Sequence, residues 1–140
     1  MKKQLTDHGG QPWVLDIEEA TLDNDNFRTT IYTGSNLQMT LMSIPVGGEV
    51  GLEIHPDNDQ FFRVEQGEGK FVAGLTQNDL NVEENFEDDF AIFVPAGTWH
   101  NLINTGKEDL KFYTIYAPAH HPKGTVHKTK ADSDADEHDH

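Results

Sequence analysis

Two stretches decide the reading of this chain: Pro95-Ala96-Gly97-Thr98-Trp99-His100-Asn101-Leu102-Ile103-Asn104, and upstream of it Gly47-Gly48-Glu49-Val50-Gly51-Leu52-Glu53-Ile54-His55-Pro56-Asp57-Asn58-Asp59-Gln60. Residues two apart on a strand point to the same face. Read as strands, the upstream stretch turns Glu53 and His55 one way and Leu52 and Ile54 the other. Gln60 shares a face with Phe62 and Val64, and His100 shares one with Leu102 and Asn104. If Glu53, His55 and His100 all look into a barrel, two imidazoles and one carboxylate converge. That set suits mononuclear Fe(II) and related divalent ions and leaves coordination positions open. An inward Glu53 needs a cation, donors or water, because a buried lone carboxylate costs several kcal/mol. Nothing basic adjoins it in sequence.

Outward from these stretches the texture is β throughout. Strands are expected near 28–33, 36–45, 50–55, 60–66, 69–74, 79–86, 90–94, 99–104 and 109–117, separated by turn residues such as Gly34-Ser35, Gln77-Asn78 and Thr105-Gly106-Lys107. Short strands at this spacing predict an all-β sandwich or barrel and leave no room for crossover helices. Residues 1–27 read as an arm with one short helix near 16–23, since Asp16 and Glu19 have capping-box form. The barrel is expected over 28–118, and 119–140 form an extension whose acidic end, from about 131, is expected to be disordered.

Together the two stretches resemble the paired signature motifs of the cupin superfamily. The second fits P-x-G-x-x-H-x-x-x-N at Pro95, Gly97, His100 and Asn104, although Asp89 stands where the family has a preceding Gly. The first fits G-x5-H-x-H-x3–4-E-x6-G at Gly47, His55 and Gly67, with Glu53 replacing a His and Gln60 replacing the Glu. The resemblance covers about residues 36–117 and implies a double-stranded β-helix, or jelly-roll, barrel. It implies Glu53, His55, Gln60 and His100 at the metal-ligand positions. Glu53 keeps an anionic oxygen in the set, while the neutral Gln60 amide is a weak ligand or only a neighbour of the metal. The implied cofactor is a divalent ion (Fe, Mn, Ni, Co or Zn), which affinity order alone does not distinguish.

Family activities include dioxygenases and isomerases or epimerases, so the expectation is a metal-dependent enzyme acting on a small polar metabolite. Glu53 becomes a candidate catalytic base if the imidazoles and Gln60 carry the metal. The replacement at Gln60 favours the alternative of a non-catalytic ligand-binding or sensor protein with a degenerate or empty site.

Composition narrows the partners. The 140 residues carry a formal charge of −15 and no cysteine, which excludes disulfides, thiolate chemistry and sulfur-held metals. The acidity argues against nucleic acid and anionic membrane surfaces as partners. Residues 131–140 hold five acidic groups and no Lys or Arg, so a third of the net charge belongs to the tail. With no signal-like or membrane-spanning stretch, the expected location is the cytoplasm.

The face opposite Glu53 and His55, with Val50, Leu52, Ile54 and neighbouring Phe61, is expected to point outward. Cover by the N-terminal arm, a second subunit or both then follows, and the cupin resemblance implies a homodimer. Trp99 is expected to turn away from His100 and serve packing. The basic segment from His120 to Lys130 either folds over the barrel mouth and lends a His or Lys to the pocket, or pairs with an acidic surface on a partner subunit.

Overall fold

Alternation along Asp59–Gln66 buries Gln60, Phe62 and Val64 and leaves Phe61, Arg63 and Glu65 on the other side, so this strand has one core face and one outer face. The same logic repeats through a computed structural model that describes residues 5–136. Its elements are α1 (Ile17–Asp23), β1 (Arg28–Thr33), β2 (Gln38–Ile44), β3 (Asp59–Gln66), β4 (Gly69–Gly74), β5 (Val82–Phe86), β6 (Ala91–Val94), β7 (Trp99–Asn104), β8 (Leu110–Ala117), β9 (Val126–His127) and α2 (Lys130–Ala135).

A six-stranded sheet in the order β6-β3-β8-β2-β1-β9 faces a three-stranded sheet in the order β5-β4-β7. Every pairing within them is antiparallel. Between the sheets lies a core that includes Phe62, Val64, Leu110 and Phe112 from the larger and Phe71, Ala73, Phe86 and Leu102 from the smaller. This is the all-β jelly roll that the turn spacing predicts. A second cluster lies outside the large sheet, where Ala20 of α1 packs on Ile31 and Leu41 with Trp13, Leu15 and Tyr113 around it. The predicted cap is in place: Asp16 Oδ1 accepts from Glu19 N at 3.0 Å.

The expected strand at 50–55 does not form. Residues 49–53 run beside β7 through only two isolated bridges, Glu49 to Ile103 and Glu53 to His100. The cause is Gly51, at φ +106°, a conformation that L side chains rarely adopt. The kink resets the two-residue period, so Val50 turns into the core instead of outward, while Glu53 and His55 still face inward. Burying a valine is worth about 1.5–3 kcal/mol, more than the roughly 0.5–1 kcal/mol a glycine costs in ordering. Of the expected outer patch, Leu52 is exposed, and Ile54 and Phe61 are half-buried.

The C-terminal extension also departs from expectation. Residues 130–136 are ordered, because Thr129 and Asp132 form a reciprocal capping box that starts α2. Long-range polar contacts then hold the helix. Arg28, almost fully buried on β1, donates from Nη1 to Ser133 Oγ at 2.7 Å and to His127 Nδ1 at 2.9 Å. That donor leaves the proton of His127 on Nε2, which donates to Asp136 Oδ2 at 2.8 Å. Pairing of β9 with β1 completes the attachment. The last four residues of the acidic tail lie outside the described residues.

Candidate metal centre

Strand β7 positions His100. Gly97, at φ +79°, shapes the turn before the strand, and its N donates to His55 O at 3.0 Å, joining the two ligand-bearing stretches. His100 is buried beside Leu102 and Asn104. The motif's Asn104 is structural: its Nδ2 donates to Ile44 O and Glu108 O, each at 3.0 Å, and its Oδ1 accepts from Gly106 N at 2.9 Å. Glu53 and His55 arrive from the irregular stretch, which is tied to β7 by reciprocal bonds between the Glu53 and His100 backbones of 3.0 and 2.9 Å.

The donor atoms of Glu53, His55 and His100 all lie within 4.8 Å of one another, the one such group of three metal-ligating side chains among the described residues. Glu53 Oε1 stands 3.2 Å from His55 Nε2 and 3.5 Å from His100 Nε2. Gln60, from β3, adds its Oε1 at 3.1 Å from His100 Nε2, while its own Nε2 donates to Thr114 Oγ1 at 2.9 Å. Burial alone would push the Glu53 carboxyl up, but the His100 and His55 imidazoles beside it outweigh burial and hold Glu53 well below the usual carboxylate range. Glu53, His55 and His100 therefore meet at one point, and Gln60 reaches it beside His100. Asp57 and Asp59 stay out of it: Asp57 is exposed in the turn, and Asp59 Oδ1 accepts from Ala96 N at 3.0 Å.

The donor chemistry fits a cation. His100 Nδ1 lies 2.9 Å from Thr98 O, which can only accept, so Nδ1 carries a proton, and in the neutral ring Nε2 presents a lone pair. That lone pair faces two further acceptors, Gln60 Oε1 and Glu53 Oε1. Both ring nitrogens of His55 are buried without a hydrogen bond of acceptable geometry. Acceptors aimed at one another are satisfied by positive charge at their focus, either a proton on an imidazole or a divalent ion.

A cavity of about 540 Å³ opens onto Glu53 and His55, with Arg28, Trp99, His120 and Lys130 also in its wall. Trp99, expected to serve packing alone, thus borders the route to the centre. His120 takes the pocket role that the sequence left as one of two options. Arg28, Ser133 and Asp134 were missed, because their approach depends on contacts across roughly the whole chain. A hollow of similar size, about 560 Å³, lies among the turn residues Gly67, Glu68, Glu87, Asp88, Lys107 and Glu108, and it has no imidazole.

With this fold and donor set in view, the class is established by comparison. A family model described as Cupin domain matches residues 40–116, more than half the chain. The protein belongs to the cupin family. It is 55% identical over 133 residues to the uncharacterized protein YrkC of Bacillus subtilis, covering 95% of this chain and 72% of that one. It is 40% identical over 117 residues to the uncharacterized protein L612 of Acanthamoeba polyphaga mimivirus, covering 83% and 71% respectively. Among solved structures it is similar to BH2720 of Bacillus halodurans, with 55% identity, a TM-score of 0.93, and coverage of 94% of this chain and 100% of that one.

Proposed function

We propose that the protein is a metal-dependent enzyme of dioxygenase or isomerase type, acting on a small polar metabolite in the barrel cavity. The observation that carries this reading is the focus of acceptor atoms at Glu53, His55 and His100, with both His55 nitrogens buried and unbonded. Glu53, His55 and His100 would hold a divalent ion, and Gln60 would stand beside it as a weak fourth donor. Such an ion, when bound, supplies Lewis acidity and open positions for substrate with water or O₂.

The chain's own residues would do the rest. The Nδ1–H bond to Thr98 O fixes the tautomer and plane of His100, so that Nε2 points inward. Thr114 orients the Gln60 amide by the same principle. Trp99 and His120 narrow the space beside Glu53 and His55. If the imidazoles and Gln60 carry the ion, Glu53 is placed to act as the base.

Gln60 favours one other reading, a ligand-binding cupin without catalysis, since a neutral amide occupies a position where the family has a carboxylate. Metal analysis separates the two. Protein purified without added metal, and again after anaerobic loading with Fe(II) and Mn(II), should carry about one ion per chain, and His100→Ala and Glu53→Ala should carry none. Absence of stoichiometric metal in the unsubstituted protein would sink the enzyme reading.

The homodimer and cytoplasmic location expected from the sequence belong to the same proposal. Phe93, 75% exposed, lies across from Phe61 with ring centroids 5.0 Å apart. Phe93→Glu should convert a sedimenting dimer to monomer if a second copy covers this face.

A further inference from the structure

We propose that His120 is a further imidazole donor to this centre, delivered by the C-terminal extension from outside the family's motifs. The inference rests on the metal reading above and adds a ligand to it. The His120 ring lies 4.2 Å from the His55 ring, centroid to centroid, at 67°. The rings of His55 and His100, both in the donor group, are farther apart at 5.4 Å. His120 also lines the cavity that opens onto Glu53 and His55. It stands one ring beyond the three-donor group, so ligation needs the His120 ring to move toward the focus.

The backbone at this position is held by two buried amides that do nothing else in the site. Gln38, fully buried on the inner face of β2, accepts at Oε1 from the N–H of His120 at 3.0 Å and of His121 at 2.9 Å. It donates from Nε2 to His121 O at 2.8 Å. Asn58 donates from Nδ2 to Pro118 O at 2.5 Å and to Ala119 O at 3.4 Å. Tyr116 stacks on the His120 ring at 5.5 Å and 28°. A segment serving only solubility needs no such clamp, whereas a ligand has to be held in register with its partners.

The donor count gives the arrangement its purpose. Gln60 is neutral and its Nε2 is engaged by Thr114, which leaves three strong donors. Rotation of His120 inward makes three imidazoles and one carboxylate, and it removes one position that a substrate would otherwise occupy. The extension, and not the barrel, then sets how many positions remain open.

Cobalt(II) is the probe for the test. In the Co(II)-loaded full-length protein, each coordinated imidazole that keeps a ring N–H gives one exchangeable, paramagnetically shifted proton resonance. Three are expected, from His55, His100 and His120, falling to two in both His120→Ala and His120→Phe. The phenylalanine variant keeps the ring contacts with His55 and Tyr116 but has no donor. Calorimetric Co(II) affinity should fall at least about tenfold in both, the loss seen even for groups that only orient a ligand. Two resonances in the unsubstituted protein, unchanged in His120→Phe, would overturn the inference and leave the metal reading intact. No Co(II) uptake and no shifted resonance in the unsubstituted protein would overturn both.

Discussion

Residues 95–104 and residues 47–60 both bring an imidazole to the same point, but from different kinds of backbone. The first is a turn and a regular strand, β7, whose alternation reads straight from the sequence. The second is an irregular path with isolated bridges and a positive-φ glycine, in which Val50, Glu53 and His55 all face inward although 50 and 53 have opposite parity. A strand fixes one side chain by periodicity. An irregular path with a kink turns Val50, Glu53 and His55 inward together, a mixed parity that strict alternation forbids, and it depends on β7 for its hydrogen bonds.

That dependence can be broken from either side. The largest effect is expected at the regular half: His100→Ala should weaken metal binding more than about 100-fold, beyond the loss typical of groups that merely orient ligands, as read by calorimetry. Glu53→Gln comes next and carries a pH signature. Because the folded protein holds this carboxyl below its ordinary value near 4.5, its contribution is present above that pH and is lost as the pH falls below it. Metal-free Glu53→Gln should therefore show a flatter fall of stability in acid than the unsubstituted protein, measured by urea unfolding across pH 3–6.

Smaller effects sharpen the comparison. Gly51→Ala forces a Cβ at φ +106° to 3.2 Å from Lys130 Cε, whereas Gly97→Ala at φ +79° meets nothing within 4 Å. The first should cost about 1–2 kcal/mol and disturb metal affinity through Glu53. The second, closer to the left-handed well, should cost about 1 kcal/mol from backbone strain alone, so the larger drop in melting temperature is expected for Gly51→Ala, from greater strain and the Lys130 contact together. Smallest of all is Asp89→Gly. Asp89 sits at φ +71°, the conformation glycine takes readily, where the family pattern has Gly. Relief of strain and the entropy of glycine nearly cancel, and the expected change in unfolding free energy is under about 1 kcal/mol.

The fold was legible because alternation and turn residues are local signals, and the α1 cap was legible for the same reason. The four residues at the centre were legible as well, three of them through strand parity and the motif resemblance together. Val50 was not, since its direction depends on the dihedral angle of the next residue. Helix α2 had a local signal in Thr129 and Asp132, but the acidic composition masked it. Its anchorage could not be read at all: Arg28 and Ser133 are 105 positions apart, and nothing near either names the other. Composition describes how a segment meets water, and it is silent about a buried guanidinium waiting elsewhere.

That guanidinium has a consequence for how the protein is made. Arg28 leaves the ribosome about 100 residues ahead of its partners His127 and Ser133, which are 99 and 105 positions further along. At about 5–20 residues per second, the interval is on the order of 5–20 s. Throughout it the nascent chain holds a buried-type cation with no strand β9 and no helix α2 to receive it. The cavity wall that includes Arg28, His120 and Lys130 is therefore completed only after strands β1 to β8 are made, and a chain released after β8 would have most of a barrel but no finished mouth.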